Sequence, residues 1–91
     1  MLLNPIQENP VHFEGREIKI TDKASNALYQ LCKTPITAST IGMYLNAYSD
    51  GKMKKALKTL SNEDISNIVE EYAKAEYTLL CGKEAWDEIP E

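Results

Sequence analysis

The side chains that could perform covalent chemistry are few in this sequence, and they lie far apart along it. There is one histidine, His12, and there are two cysteines, Cys32 and Cys81. Each cysteine is expected near the C-terminal end of a helix, where the helix dipole disfavours the thiolate that a nucleophile needs. One histidine and two cysteines without a CxxC pair are also a poor ligand set for structural zinc. We therefore predict no catalytic residue, no metal site and no cofactor, and hence no enzyme.

Structural roles are expected for the same residues instead. His12 adjoins Phe13 on a predicted strand, which favours a half-buried structural histidine over a general base. The cysteines are expected to be buried, unpaired thiols, because free cysteine behaves as a small hydrophobic residue in a reducing cytosol. No glycine-rich phosphate loop occurs, since Asp50-Gly51 has the composition of a simple turn.

Charge is distributed unevenly along the chain, whose formal net charge is −4. Residues 1–60 contain eight basic and five acidic side chains, whereas residues 61–91 contain two basic and nine acidic ones. An acidic protein has no overall attraction for nucleic acid, so only a local basic surface could bind it. The acidic second part favours a protein partner that carries a basic surface.

The predicted protein-binding surface lies on the last long helix and the residues that follow it. The acidic residues there are also consistent with a solvated helix face, but Trp86 lies among them. Such a tryptophan either packs back onto the core or anchors a partner, because tryptophan is enriched at binding hot spots. The candidate binding residues are Glu70, Glu71, Lys74, Tyr77, Trp86 and Asp87.

A second candidate surface lies in residues 34–60, where two amphipathic segments meet across Ser49-Asp50-Gly51. The arrangement resembles a helix-turn-helix, whose second helix enters the major groove of DNA. That segment carries Lys52, Lys54, Lys55 and Lys58, which could neutralise phosphates. Its polar face lacks the arginine, asparagine and glutamine that usually read base edges. Two ordinary helices with a lysine-rich outer face are the alternative interpretation.

The elements that must position these surfaces begin with an arm and a hairpin. Residues 1–10 contain two prolines and several amides, and we expect them to form an extended arm. Alternating apolar residues on either side of Glu14-Gly15 predict a β-hairpin within residues 11–20. A lone hairpin is marginal in water, so it must pack on helices.

Three short helices are predicted from apolar residues that recur at helical spacing. The first is capped by Thr21 and ends near Cys32. The second is capped by Thr37 or Ser39, and the third follows the turn at Ser49-Asp50-Gly51. The apolar positions are Ala24, Ala27, Leu28 and Leu31 in the first, Ile41, Tyr44, Leu45 and Tyr48 in the second, and Met53, Ala56, Leu57 and Leu60 in the third.

A fourth, longer helix is predicted between Ser61 and Gly82. Ser61 and Asp64 form an approximate capping box, and glycine is typical just beyond a helix C-terminus. The predicted buried stripe is Ile65, Ile68, Val69, Tyr72, Ala75, Leu79 and Leu80. A stripe of this length exceeds what three short helices can cover, which would favour a homodimer.

The sequence thus predicts a mainly α fold, a small domain of about four helices with a short N-terminal β-hairpin. The expected organisation is an arm at 1–10, a single helical domain at 11–82 and an acidic C-terminal tail at 83–91. No segment approaches the roughly 18 to 20 apolar residues of a membrane helix, and the first residues lack the features of a signal peptide. We therefore expect a cytoplasmic protein without a membrane partner.

The favoured function is a small regulator or inhibitor that acts by binding another protein. Its size and acidity are common among phage and mobile-element products, which is an association and not a physical argument. The first alternative is a DNA-binding transcriptional regulator that uses residues 34–60. The second alternative is a structural or assembly protein whose partner is a copy of itself.

Overall fold

The computed structural model describes residues 7–89, so residues 1–6 of the predicted arm lie outside the described part of the chain. The elements in order are β1 (Val11–Phe13), β2 (Arg16–Ile18), α1 (Asp22–Cys32), α2 (Ala38–Tyr48), α3 (Met53–Thr59), α4 (Asn62–Cys81) and α5 (Lys83–Asp87). The predicted fold class, mainly helical with an N-terminal hairpin, is confirmed. No helix within residues 7–89 combines the length and apolar character needed to cross a bilayer.

The hairpin forms because Glu14-Gly15 adopts a tight turn and the alternating apolar residues of both strands lie on one buried face. The turn residues Glu14 and Gly15 have positive φ angles of 49° and 74°, as the tight two-residue turns of hairpins require. Val11 pairs with Ile18, and both are buried against the helices. His12 is exposed and not half-buried, because successive side chains of a strand point to opposite faces.

Two side-chain amides fasten the residues before the hairpin to the core. Asn9 donates to the Ile20 carbonyl and accepts from the Ile20 N–H, both at 2.9 Å. Gln7 donates to the Ile36 carbonyl at 2.9 Å and accepts from its N–H at 2.8 Å. The Ser25 hydroxyl also donates to Gln7 Oε1 at 3.2 Å. Each amide side chain therefore hydrogen-bonds both the N–H and the carbonyl of one buried residue, as the backbone of a neighbouring strand would.

Helices α1 and α4 begin where their capping residues predict. The Thr21 hydroxyl accepts from the Ala24 N–H at 3.2 Å. Ser61 and Asp64 form a capping box. The Ser61 N–H donates to the Asp64 carboxylate at 3.1 Å, and the Asp64 N–H donates to the Ser61 hydroxyl at 3.0 Å. These bonds satisfy N–H groups that have no partner within the helix. Helix α2 is capped by Thr37, the first of the two predicted residues.

The main core lies between the hairpin and helices α1, α2 and α4. The Tyr44 and Tyr72 rings stack across α2 and α4 with centroids 5.3 Å apart. Tyr48, one turn further along α2, was predicted on the buried stripe but is 54% exposed. The most deeply buried large side chains are Ile18, Ile36, Ile41, Leu45, Ile65, Val69 and Asn26.

Within residues 83–89 of the predicted acidic tail, the structure has a short helix, α5, that is docked on the domain. Gly82 has a φ of 94°, which favours glycine and allows the chain to turn back after α4. Trp86 and Ile89 then pack with Ala27 and Tyr77 in a second apolar cluster. Burial of these apolar side chains holds residues 83–89 on the domain.

Candidate protein-binding surface

The six residues predicted to bind a protein are only partly available on the surface. The structure exposes Glu71 and Asp87, half-buries Glu70 and Lys74, and buries Tyr77 and Trp86. Glu70 and Glu71 diverge around the helix, as adjacent helical positions must. The structure therefore does not bring the predicted set together as one contact surface.

Trp86 occupies a site of its own between α1, α4 and α5. Its ring packs edge-on to Tyr77, with centroids 6.3 Å apart and an interplanar angle of 60°. The Lys23 ammonium group lies 5.4 Å from the centre of the indole ring, within cation–π distance. Only 4% of Trp86 is exposed, so its indole cannot anchor a partner in this conformation. Of the two roles considered for this residue, the structure shows the one in which it packs onto the core.

The exposed apolar residues of α4 lie elsewhere, in its last turn. Leu79 is 84% exposed and Leu80 is 70% exposed, so the prediction that both are buried is wrong. Ala75 is also exposed, whereas Ala73 and Tyr77 take buried positions that the predicted stripe omitted. We call Leu79 and Leu80 the leucine end.

The leucine end is exposed because α4 is longer than the helix that packs along it. Helix α1 has 11 residues and α4 has 20, so they span roughly 16 and 30 Å. Leu31, the last apolar residue of α1, packs against the cluster that contains Tyr77. The following turn of α4 extends beyond this contact. Comparison of the two predicted helix lengths could have indicated this overhang.

Acidic side chains flank the leucine end in the sequence. Residues 76–89 contain four carboxylates and one lysine. All four carboxylates are exposed: Glu76, Glu84, Asp87 and Glu88. Glu76 lies one helical turn before Leu79 and Leu80, on the same side of α4. The exposed leucines therefore belong to an acidic segment of the chain.

Glu76 also marks the border between this surface and the core. Burial raises the pKa of Tyr44, and the neighbouring Glu76 carboxylate raises it further, because both favour the neutral phenol. Burial likewise raises the pKa of Tyr77. Both phenols are therefore neutral at physiological pH, and neither is prepared to act as a base.

The opposite charge lies on α3. Its three lysines are exposed, as is Lys52 just before the helix. Together these residues form what we call the lysine face: Lys52, Lys54, Lys55 and Lys58. The opposite side of α3 packs on the core through Ala56, as its apolar spacing predicts. Local amphipathicity therefore directs these lysines to solvent.

Arg16 positions α3 from the hairpin. Its guanidinium donates to the carbonyl of Leu60 at 2.6 Å and to the carbonyl of Leu57, and lies 3.5 Å from the Asn62 side-chain oxygen. These carbonyls are at the C-terminal end of α3, where intrahelical donors are lacking and the dipole favours a cation. One side chain therefore joins β2, α3 and the start of α4.

Helix α3 precedes α4 in the chain, and the leucine end lies in the last turn of α4. Helix α3 ends just before Asn62, and about 26 Å of helix separates Asn62 from Leu79 at about 1.5 Å per residue. The end of α3 and the leucine end are therefore next to different ends of α4.

Helices α2 and α3 have the order that a helix-turn-helix requires, with Ser49 to Lys52 between them. Helix α3 has only seven residues, roughly 10 Å, which is short for reading a groove. Glu63 and Asp64 are exposed in the first turn of α4, immediately after it. These carboxylates would repel the phosphates of a bound duplex.

Sites for covalent or metal chemistry were not predicted, and the relevant residues are dispersed. Within residues 7–89, no three histidine, cysteine or acidic side chains are grouped as metal ligands. Cys32 and Cys81 are free thiols and both are exposed, so the prediction of buried cysteines is wrong. Each is the last residue of its helix, where the side chain reaches solvent.

Two surface pockets are small. One, of ≈ 270 Å³, lies between β2 and the start of α4 and is lined by Glu17, Lys19, Asn62, Glu63 and Ser66. The other, of ≈ 210 Å³, is lined by Gln30, Tyr77, Ala85, Glu88 and Ile89. Both are smaller than the roughly 300 to 1,000 Å³ typical of small-molecule sites.

No protein-family model matches the sequence, and no curated protein or solved structure is significantly similar to it.

Proposed function

We propose that this protein is a small, non-enzymatic regulator or inhibitor that binds another protein through the leucine end. The observation that supports the proposal is the exposure of Leu79 and Leu80, at 84% and 70%, in a helix that otherwise buries its apolar stripe. Burial of a leucine side chain yields about 1.5 to 3 kcal/mol relative to leaving it in water. A partner that covers both leucines would therefore remove from water the apolar surface that α4 leaves exposed.

The carboxylates near the leucine end define the chemistry of this partner. Glu76 precedes Leu79 by one helical turn, and Glu84 lies in the first turn of α5. A complementary partner has an apolar pocket with lysine or arginine around it, because opposite charges speed association and select against wrong partners. The two free, exposed thiols fit a reducing compartment such as the cytoplasm.

Photo-crosslinking tests this proposal directly. A benzophenone amino acid is introduced at Leu79 and the protein is irradiated in lysate of the cells that produce it. We expect one abundant crosslinked protein, identified by mass spectrometry. The control carries the same probe at Asn67, which is exposed on α4 about 18 Å away along the helix. Equal labelling from both positions would contradict the proposal.

The partner found in this way then allows a quantitative test. The double variant Leu79→Gln and Leu80→Gln keeps helix-forming residues at exposed positions, so we expect it to fold. It should bind the purified partner at least ~10-fold more weakly by calorimetry, because the apolar contact is lost. Unchanged affinity would exclude the leucine end as the binding surface.

DNA binding through the lysine face is the second candidate function. The exposure of four lysines on and next to α3 favours it, and the acidic residues that follow α3 disfavour it. Fluorescence anisotropy of a labelled duplex at ~50 mM and ~200 mM salt would test it. Binding that falls steeply with salt and is lost in the Lys54→Glu and Lys55→Glu double variant would support it, and a flat titration would exclude it.

A further inference from the structure

We infer that the basic surface which receives the leucine end is the lysine face of a second copy of this chain, so that copies associate head to tail. This inference rests on the proposed function, because it names the partner of the leucine end. Three features of the molecule carry it: complementary charge, the placement of the two surfaces, and an aromatic side chain beside the lysines.

The first feature is charge complementarity within one sequence. The lysine face carries four ammonium groups, and none of them forms an ion pair with another described residue. The leucine end is accompanied by four exposed carboxylates. The lysine face therefore presents positive charge, residues 76–89 present four carboxylates against the single ammonium group of Lys83, and the two surfaces are opposite in net sign.

The second feature is the position of the surfaces. About 26 Å of helix separates Asn62, which follows α3, from Leu79 in the last turn of α4. Within residues 7–89, no lysine of the lysine face forms an ion pair with a carboxylate of residues 76–89. Complementary surfaces at different places on one molecule can join separate copies by a heterologous contact, in which the two copies contribute different surfaces.

The third feature is Tyr48, which gives the lysine face an apolar component. Tyr48 is the last residue of α2 and is 54% exposed. The Lys52 N–H donates to the Ser49 carbonyl at 3.1 Å, so a tight turn joins Tyr48 to the lysine face. The ring and the aliphatic stems of the lysines can cover leucine side chains while the ammonium groups remain near carboxylates.

A two-fold contact between two leucine ends is disfavoured by the same charges. It would place the carboxylates of one copy against those of the other, and like charges brought together at an interface are costly. The lysine face places four exposed lysines within residues 52–58, a basic segment of the described chain. A head-to-tail contact therefore covers the leucines and also places lysines of one copy near carboxylates of the other.

Two variants separate the surfaces. The lysine variant carries Lys54→Glu and Lys55→Glu, and the leucine variant carries Leu79→Gln and Leu80→Gln. All four positions are exposed, and far-ultraviolet circular dichroism checks that both variants fold. The control variant, Asn67→Asp, changes charge on the exposed face of α4 between the two surfaces.

Sedimentation velocity across a concentration series then tests the inference. The wild type and the control should increase in mass with concentration at ~50 mM salt, and their self-association should weaken at least ~10-fold at ~300 mM salt. Each variant alone should remain monomeric. An equimolar mixture of the two variants should form dimers and no larger species, because one intact lysine face and one intact leucine end remain available for a single contact.

Other outcomes would overturn the inference. Self-association of the lysine variant alone would indicate a two-fold leucine contact. A monomeric wild type at ~1 mM and low salt would show that copies do not bind each other; if the Leu79 probe still captures a different protein, the proposed function stands without the inference. A monomeric wild type with no capture would overturn both. Duplex DNA bound by a monomer through Lys54 and Lys55 would assign the lysine face to DNA.

Discussion

The guanidinium of Arg16 donates a 2.6 Å hydrogen bond to the carbonyl of Leu60, 44 residues later in the chain. A side chain of strand β2 therefore caps the C-terminal end of helix α3. A seven-residue helix is too short to be stable by itself in water. Its stability comes from the packing of its apolar side and from this cap. The orientation of the lysine face therefore depends on a residue outside α2 and α3.

We predict that Arg16→Ala lowers the free energy of unfolding by about 2 kcal/mol, the loss typical of hydrogen bonds to a charged group. Urea unfolding followed by circular dichroism measures it. Lys58→Ala, at an exposed position on the same helix, is the matched control and should change stability little. Equal effects of the two substitutions would show that the cap contributes nothing.

Gln7→Ala should destabilise the fold by about 1 to 3 kcal/mol, because it leaves the N–H and carbonyl of Ile36 without partners. Ile36 is buried, so water cannot replace the amide readily. Glu8→Ala, at the exposed neighbouring position, is the control for the thermal melting comparison. If the two variants melt alike, the Gln7 bonds do not fasten the first described residues.

Trp86→Ala should loosen α5 and cost about 3 kcal/mol, at the lower limit for removing a buried aromatic side chain, because Trp86 is the largest side chain in the cluster that holds this helix. Hydrogen exchange should show fast exchange of the amides of residues 83–89 with the rest of the domain protected. Lys83→Ala, exposed in the same helix, is the control. Protection of these amides in the Trp86 variant would show that other contacts are sufficient.

The raised pKa of Tyr44 predicts a loss of stability at alkaline pH. The folded state favours the neutral phenol, so this contribution is complete below the ordinary value of 10.0 and decreases as the pH rises above it. The melting temperature of the wild type should fall more steeply above about pH 10 than that of Tyr44→Phe. The exposed Tyr48→Phe serves as control. Parallel curves for all three proteins would contradict the prediction.

Much of the fold could be predicted from the sequence because its signals are local. The hairpin follows from Glu14-Gly15 between alternating apolar residues, and α4 follows from the capping box at Ser61 and the glycine that ends the helix. These signals require only neighbouring residues to agree. The docked helix α5 was not predicted, because its stability depends on Trp86 meeting Ala27, far away in the sequence.

The candidate site was predicted less completely from the sequence than the fold was. Periodicity placed Leu79 and Leu80 with the core residues of α4, but periodicity cannot show where the covering helix ends. Whether an apolar residue is buried depends on its neighbours in space as well as on its own helix. The lysine face was predicted more fully, because an amphipathic helix that packs its apolar side necessarily exposes the other.

Trp86 also has an optical consequence. It is the single tryptophan of the sequence, and it is held against Tyr77 beneath Lys23. The intrinsic fluorescence of the unmodified protein therefore reports the environment of α5. Because α5 follows the leucine end directly, a ligand that moves this helix should change the emission. A ligand on the lysine face, which does not contact Trp86 or its cluster, should leave the emission unchanged.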